Sequence, residues 1–387
     1  MVPVLKVNAA EVFGLGCFGV AMGLWLKRRL PILDRLNIPA PIAGGMVYAL
    51  VTMALRDRVA NFEFDGGLRD LAQMAFMTTV GLAASARLIR EGGVGVAKLL
   101  ALSVGGAVLQ NALGMGIAKM LGVDPRLGIL AGAVSLAGGP ATSLAFGPMF
   151  EKLGVAGATT AAFASATFGI CVAGLISARI GAQIIRRKGL KPAEASTAPS
   201  RGLTPQVSSD LLRTIVILGI CMGAGSLIGA AIERTGIILP GYIGAMIVAA
   251  VVRNSGVRIP EGDLLTVGKV SLYLFIVMAL LTLKLWELVH LALPILTILI
   301  AQVVLVWGMC LTLSYWVMGR DYEAAVTTAG FCGFMLGTTS NAVASMEELV
   351  EKFGAAPRSF LIVPIVGAFL IDFTDSIIIT ASANLWR

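Results

Sequence analysis

Charged residues are scarce in this sequence. They make up 13% of its 387 residues, against 57% hydrophobic, and the mean hydropathy is +0.89. A soluble globular chain carries about a quarter charged residues, and half that share cannot cover a surface facing water. The surface must face lipid. Histidine is scarcer still: the one residue, His290, lies between two apolar runs, which predicts an interfacial place over a catalytic one. With so little to serve as a base and no histidine-based zinc motif, the chain is expected not to be an enzyme and to need no cofactor. The five cysteines, Cys17, Cys171, Cys221, Cys310 and Cys332, form no C-x-x-C pair and read as small packing residues. No phosphate-binding loop is present, which argues against a nucleotide-driven pump. Gly14, Gly16 and Gly19 spell a dinucleotide fingerprint, but no strand precedes them and they lie inside an apolar run, so the match is accidental.

What is there is a succession of apolar runs. In the first half they cover residues 12–26, 39–55, 71–86, 99–117 and 160–185. In the second they cover 211–232, 240–252, 267–283, 291–318 and 360–383. At roughly 20 residues per crossing, these are about ten spans. The formal charge of +8 and pI near 9.4 do not point to nucleic acid, because the basic residues sit in short clusters between the runs. Lys27, Arg28 and Arg29 follow the first run, where a cleaved signal peptide would carry its charge before the apolar core. That predicts a first span with its N-terminus outside. The positive-inside bias then places Arg87, Arg90, Lys98 and the Arg186–Lys188 cluster in the cytoplasm, and both termini outside an inner (plasma) membrane.

Two stretches are apolar but studded with small polar residues, at 132–150 and 330–346. The charge bias survives only if each enters and leaves on one side, as a re-entrant hairpin. Residues 188–210 are rich in Pro, Ala, Ser and Thr and read as a cytoplasmic linker. The linker separates a repeat at 1–187 from a repeat at 211–387. NIPAPIAGGMVYALV from Asn37 pairs with GIILPGYIGAMIVAAVV from Gly236. LAGAVSLAGGPATSLAFGPMFEKLG ending at Gly154 pairs with TAGFCGFMLGTTSNAVASMEELVEKFG ending at Gly354. An odd number of spans per half makes the repeats inverted in topology. The expected fold is therefore an all-α polytopic membrane protein of two inverted five-helix repeats, each with a re-entrant loop. Gly19 and Gly23, Gly219 and Gly223, and Gly225 and Gly229 are spaced for close helix packing.

Irregular backbone survives at membrane depth only inside protein or beside a water-filled cavity. The amides at a broken helix's N-terminus favour a carboxylate, and its freed carbonyls and hydroxyls favour a small hard cation. In the first stretch Gly138, Gly139, Thr142 and Ser143 are candidates for substrate and Ser135 for sodium. In the second, Gly337, Thr338 and Asn341 are candidates for substrate, and Thr339 and Ser340 for sodium. Asp372 and Asp375 share a helix face in the last run, where a carboxylate is costly and rarely idle. Asp372 is expected to hold sodium or a substrate amino group, with Asp375 assisting. Gln110, Asn111, Gln302, Thr78 and Thr79 are weaker candidates, for a pathway or for helix-to-helix hydrogen bonds.

The two stretches and the runs after them, ATFGICVAGLI and FLIVPIVGAFLIDF, resemble the bacterial sodium/glutamate symporter family in order and spacing. The resemblance covers both halves. It implies two inverted five-span repeats with re-entrant loops, symport of L-glutamate with sodium ion, a homodimer and an elevator-like movement. By motif position it implies Gly138, Gly139, Thr142, Gly337, Thr338 and Asp372 as site residues. The family commonly reads Gly-Gly-His-Gly-Thr where this chain has Gly138, Gly139, Pro140, Ala141 and Thr142, and Pro and Thr are usual where Ser340 and Asn341 stand. An alternative cargo on the same fold is a 2-oxoacid or dicarboxylate driven by sodium or protons. A channel is the competing class, distinguished by flux without saturation.

Overall fold

The computed structural model describes residues 2–91, 93–192, 210–234, 240–257, 259–288 and 291–385. His290 and linker residues 193–209 lie outside the described residues. The chain opens with a short strand, β1 (Val4–Val7). Helix α1 (Ala9–Arg29) begins at Asn8, whose side chain accepts from the Glu11 amide at 3.0 Å while Glu11 accepts from the Asn8 amide at 2.8 Å. It ends on Lys27, Arg28 and Arg29, cations that suit the negative end of the helix dipole. Next come α2 (Pro31–Arg35) and α3 (Ala40–Leu55), each with a proline in its first turn, where no amide is needed. Strand β2 (Asn61–Phe64) pairs in parallel with β1, Val4 opposite Asn61 and Val7 opposite Phe64. This small ribbon corrects the all-helical expectation: four-residue segments more than fifty positions apart carry too little periodicity to reveal their pairing.

The remaining elements of the first half are α4 (Gly67–Ala83), α5 (Ala86–Glu91), α6 (Gly93–Met120), α7 (Arg126–Leu130), α8 (Gly139–Lys152) and α9 (Ala158–Lys188). The second half has α10 (Leu211–Glu233), α11 (Tyr242–Asn254), α12 (Glu261–Leu281) and α13 (Ala292–Met309). A wider, π-type turn at Cys310–Ser314 leads into α14 (Tyr315–Met318). Then follow α15 (Tyr322–Leu336), α16 (Thr339–Phe353), α17 (Pro357–Ile365), a second π-type turn at Val366–Leu370, and α18 (Ile371–Leu385). Among the described residues, seven helical stretches are long and apolar enough to cross a membrane, and α3 and α11 are shorter apolar helices. This is a multi-pass membrane protein.

Contacts divide the chain into two compact units, each built from both halves of the sequence. One comprises Met1–Leu82, Leu144–Thr160 and Pro205–Ala292; the other comprises Ala83–Ser143, Ala161–Thr204 and Leu293–Arg387. In the first unit, helices cross with their backbones touching. A Cβ on Gly44 of α3 would lie 1.9 Å from the Gly19 carbonyl oxygen of α1, and one on Gly23 would lie 1.9 Å from the Ala40 carbonyl oxygen. The second-half helices α10 and α11 repeat the arrangement, with a Cβ on Gly244 falling 2.2 Å from the Gly225 carbonyl oxygen. Gly219 and Gly223, by contrast, face open space, so that pair makes no close crossing within the chain. Val12, Met278 and Leu281 form an apolar cluster beside these crossings.

The second unit is different inside. Gln110, Asn111, Ser135, Thr142, Ser143, Gln302, Thr327, Thr328, Asn341, Ser359 and Asp375 are all buried there. Every candidate site residue lies in this unit except Thr78 and Thr79, whose hydroxyls turn back onto the Met74 and Phe76 carbonyls of their own helix.

Candidate functional site

The first polar-studded stretch folds as a run of tight turns, residues 131–138, followed by α8. Its turns close locally, with the Gly138 amide donating to the Ala133 carbonyl at 2.8 Å. Gly139 has φ +69°, a left-handed conformation that side chains other than glycine's rarely adopt, and it starts the helix. Thr142 lies over the turn so closely that a Cβ on Gly138 would meet its side chain at 2.6 Å. Ser143 is buried, with its hydroxyl 2.9 Å from the Gly139 carbonyl and 3.2 Å from that of Ala162. Ser135 is also buried, and its hydroxyl donates to the Gly132 carbonyl at 3.4 Å.

The second stretch breaks more abruptly. Helix α15, buried at every residue but Glu323, stops at Gly337, and Thr338 is extended before α16 starts. Thr338 caps α16: its hydroxyl donates to Asn341 Oδ1 at 2.8 Å and lies 3.4 Å from the Asn341 amide. Asn341 in turn donates through Nδ2 to the Ile170 carbonyl of α9 at 3.0 Å. Helix α9 comes close enough that a Cβ on Gly169 would sit 2.2 Å from the Leu336 carbonyl oxygen. Thr339 donates to the Gly367 carbonyl at 2.6 Å. That carbonyl lies in the π-type turn before α18, where the wider helical winding leaves room for an outside donor. Ser340 is exposed.

The two tips meet. A Cβ placed on Gly139 would be 3.3 Å from the Gly337 carbonyl oxygen and 3.7 Å from the Thr338 methyl. Two helices, α8 of 14 residues and α16 of 15, therefore begin side by side at small, conformationally permissive residues. Their free N-terminal amides and the partial positive charge of both helix ends favour an anion there. The bared Gly337 carbonyl and the hydroxyls of Thr338 and Thr339 add hard oxygen donors of the kind a sodium ion takes.

The carboxylates stand on α18. Asp372 is partly buried, whereas Asp375 is fully buried, and neither Asp375 oxygen has a hydrogen-bond partner among the described residues. A buried carboxylate without a partner is costly unless a cation or proton neutralises it. The link from α18 to the tips runs through the Thr339–Gly367 bond, five positions before Asp372; no bond joins the Asp372 carboxylate to either tip among the described residues. No group of three or more His, Cys, Asp or Glu side chains gathers as a metal centre among the described residues. Gly169 and Ile170 escaped the sequence reading, although the small-residue run around Gly169 was the available signal. Gln110, Asn111 and Gln302, weaker candidates by sequence, make long-range hydrogen bonds within the same unit.

Comparisons with known proteins place the chain in a family. The family model for the sodium/glutamate symporter matches residues 5–355. A sodium/glutamate symporter of Escherichia coli (strain K12) is 36% identical over 372 residues, covering 92% of this chain and 93% of that protein. One from Haemophilus influenzae is 31% identical over 392 residues, covering 96% of both chains. Among solved structures, the sodium proton antiporter MjNhaP1 from Methanocaldococcus jannaschii matches 97% of this chain and 98% of its own, at 13% identity and a TM-score of 0.36. The chain belongs to the sodium/glutamate symporter family.

Proposed function

We propose that this protein takes up glutamate together with sodium, binding both where the two glycine tips adjoin. The observation that carries the reading is the close approach of Gly139 to Gly337, which sets two helix N-termini beside carbonyl and hydroxyl oxygens. The N-terminus of α8 at Gly139, next to Gly138, and that of α16 at Thr338 receive the substrate carboxylates, with Thr142, Ser143 and Asn341 holding the tip backbones in shape. Sodium takes its oxygens from Ser135, Thr339, Ser340, Asp372 and Asp375, and Asp372 also faces the substrate ammonium group. A cation beside the bound anion lowers the cost of burying either alone, which is the physical origin of coupling.

The wider arrangement belongs to the same proposal. Ten spans form two inverted repeats, and the tips belong to hairpins that enter and leave on one side. Both termini lie outside, residues 188–210 lie in the cytoplasm, and two copies assemble in the inner membrane. Uptake by purified protein in liposomes tests the core of it. Labelled glutamate should accumulate under an inward sodium gradient and not when potassium or choline replaces sodium; equal uptake in all three would end the coupling claim. Pro140 and Ala141, at the first tip, are the residues that favour a second cargo. Inhibition of that uptake by 2-oxoacids or dicarboxylates, but not by aspartate, would move the assignment to a carboxylate without an amino group.

A further inference from the structure

Two consecutive residues in the middle of α6 tie the proposed site together. Gln110 Nε2 donates to the Met335 carbonyl at 3.0 Å, two residues before Gly337 in the second tip. Asn111 Oδ1 accepts from the Ala133 amide at 3.1 Å, in the turns of the first tip, and a Cβ on Gly132 would lie 3.2 Å from the same oxygen. Asn111 Nδ2 donates to Ser382 Oγ on α18 at 3.2 Å. Gln302 of α13 closes the set by donating to the Gln110 carbonyl at 2.7 Å. Gln110 and Gln302 are fully buried and Asn111 is 1% exposed.

Neighbouring residues on a helix point about 100° apart, so one turn of α6 reaches both tips at once. Both bonds to the tips, to the Met335 carbonyl and from the Ala133 amide, go to backbone. A junction selected for stability alone would also satisfy its remaining acceptors. Here the side-chain oxygens of Gln110 and Gln302 have no partner among the described residues, despite complete burial. Buried amide oxygens left unpaired cost stability, which marks this as a junction retained for more than packing.

We propose that Gln110 and Asn111 are positioning residues that hold the two tips in mutual register, so that sodium binding and glutamate binding remain linked. The inference rests on the tips being the transport site. Without the Gln110 bond the second tip samples more arrangements, and apparent affinity falls by the fraction that remains competent. Gln302 sets the α6 backbone and acts one step further away.

The test uses full-length protein in liposomes, measuring glutamate KM at several sodium concentrations beside a thermal-unfolding curve. Gln110→Leu and Asn111→Leu are expected to raise KM about tenfold at low sodium and to flatten its dependence on sodium. Gln110→Glu supplies the control: in its protonated form it again donates to the Met335 carbonyl, so its KM stays near that of the unaltered protein at low pH and rises as the pH rises. Ser382→Ala breaks only the α6–α18 bond and is expected to lower thermal stability while leaving the sodium dependence unchanged. Sodium dependence unaltered in Gln110→Leu and Asn111→Leu would overturn the proposal, as would an equal disturbance in Ser382→Ala. Should the leucine variants fail to fold, the pH response of Gln110→Glu decides: no response beyond that of the unaltered protein overturns the role. If the unaltered protein shows no sodium dependence at all, the symport reading fails instead, and the tip-holding role stands or falls on glutamate KM alone.

Discussion

Each of the two units of this molecule is packed internally by a different means. The unit containing α1, α3, α10, α11 and α12 packs backbone directly on backbone through Gly19, Gly23, Gly44, Gly225 and Gly244. Its few buried polar residues, such as Thr78, Thr79 and Thr160, mostly bond to nearby carbonyls. The unit containing the tips carries amides, hydroxyls and a carboxylate at its centre, several bonded across more than a hundred residues of sequence. Lipid supplies no hydrophobic drive between helices, so close van der Waals packing is the simple route to a firm unit. A buried polar interior is the demanding route, because every group needs a partner. The second unit takes it, and it is the unit that contains the proposed binding tips.

Substitutions can break this contrast or sharpen it. The largest effect is expected at Asp375: Asp375→Asn should cut glutamate uptake by about a hundredfold, the loss of one charge-assisted contact of about 3 kcal/mol. The same variant should unfold at a higher temperature in sodium-free buffer, since it removes an unpartnered buried carboxylate, and sodium should no longer stabilise it. An Asn variant that transports normally would remove Asp375 from the site. Gly44→Leu comes next and acts on the other unit. It should destabilise the fold by at least about 3 kcal/mol through overpacking, read as lost folded protein by size-exclusion chromatography. Gly139→Ala should invert that pattern, lowering uptake about tenfold through the strained φ and the crowded Gly337 carbonyl, with a stability cost near 1 kcal/mol. If Gly139→Ala loses stability as heavily as Gly44→Leu, the division between a packed unit and a binding unit does not hold.

The smallest effect lies at Asp124 and Arg126, outside the long helices. Arg126 hydrogen-bonds the Asp124 carboxylate and holds its pKa below the ordinary value, against a lesser upward push from burial. A carboxyl depressed in the folded state contributes stability above its unfolded pKa, and that contribution is lost as the pH falls below about 4. Asp124→Asn should flatten the acid limb of the unfolding curve and leave uptake unchanged.

Much of this was legible in the sequence, for reasons that particular residues make plain. Glycine, serine and threonine crowding an apolar run at 132–150 and again at 330–346 point to interrupted helix, and both interruptions are there. Their outlines shift because turns and caps, not composition, set the ends: the first tip turns from residue 131, and α16 runs on to Phe353. The π-type turns at Cys310–Ser314 and Val366–Leu370 left no sign, since one extra residue per turn changes geometry without changing residue type. Gly219 and Gly223 have the spacing of a crossing but face open space, while Gly44 and Gly244, unremarked in the sequence, are the ones struck by a partner backbone. Spacing shows that a helix can be approached; it does not say by what.

The glycine crossings have a kinetic consequence. With the Gly19 carbonyl occupying the place where Gly44 would carry a side chain, a slip of one residue along α1 would drive Phe18 or Val20 toward the same spot. The crossing of α1 and α3 therefore disfavours a neighbouring register, and a displacement that accompanies transport is expected to leave this pair in step.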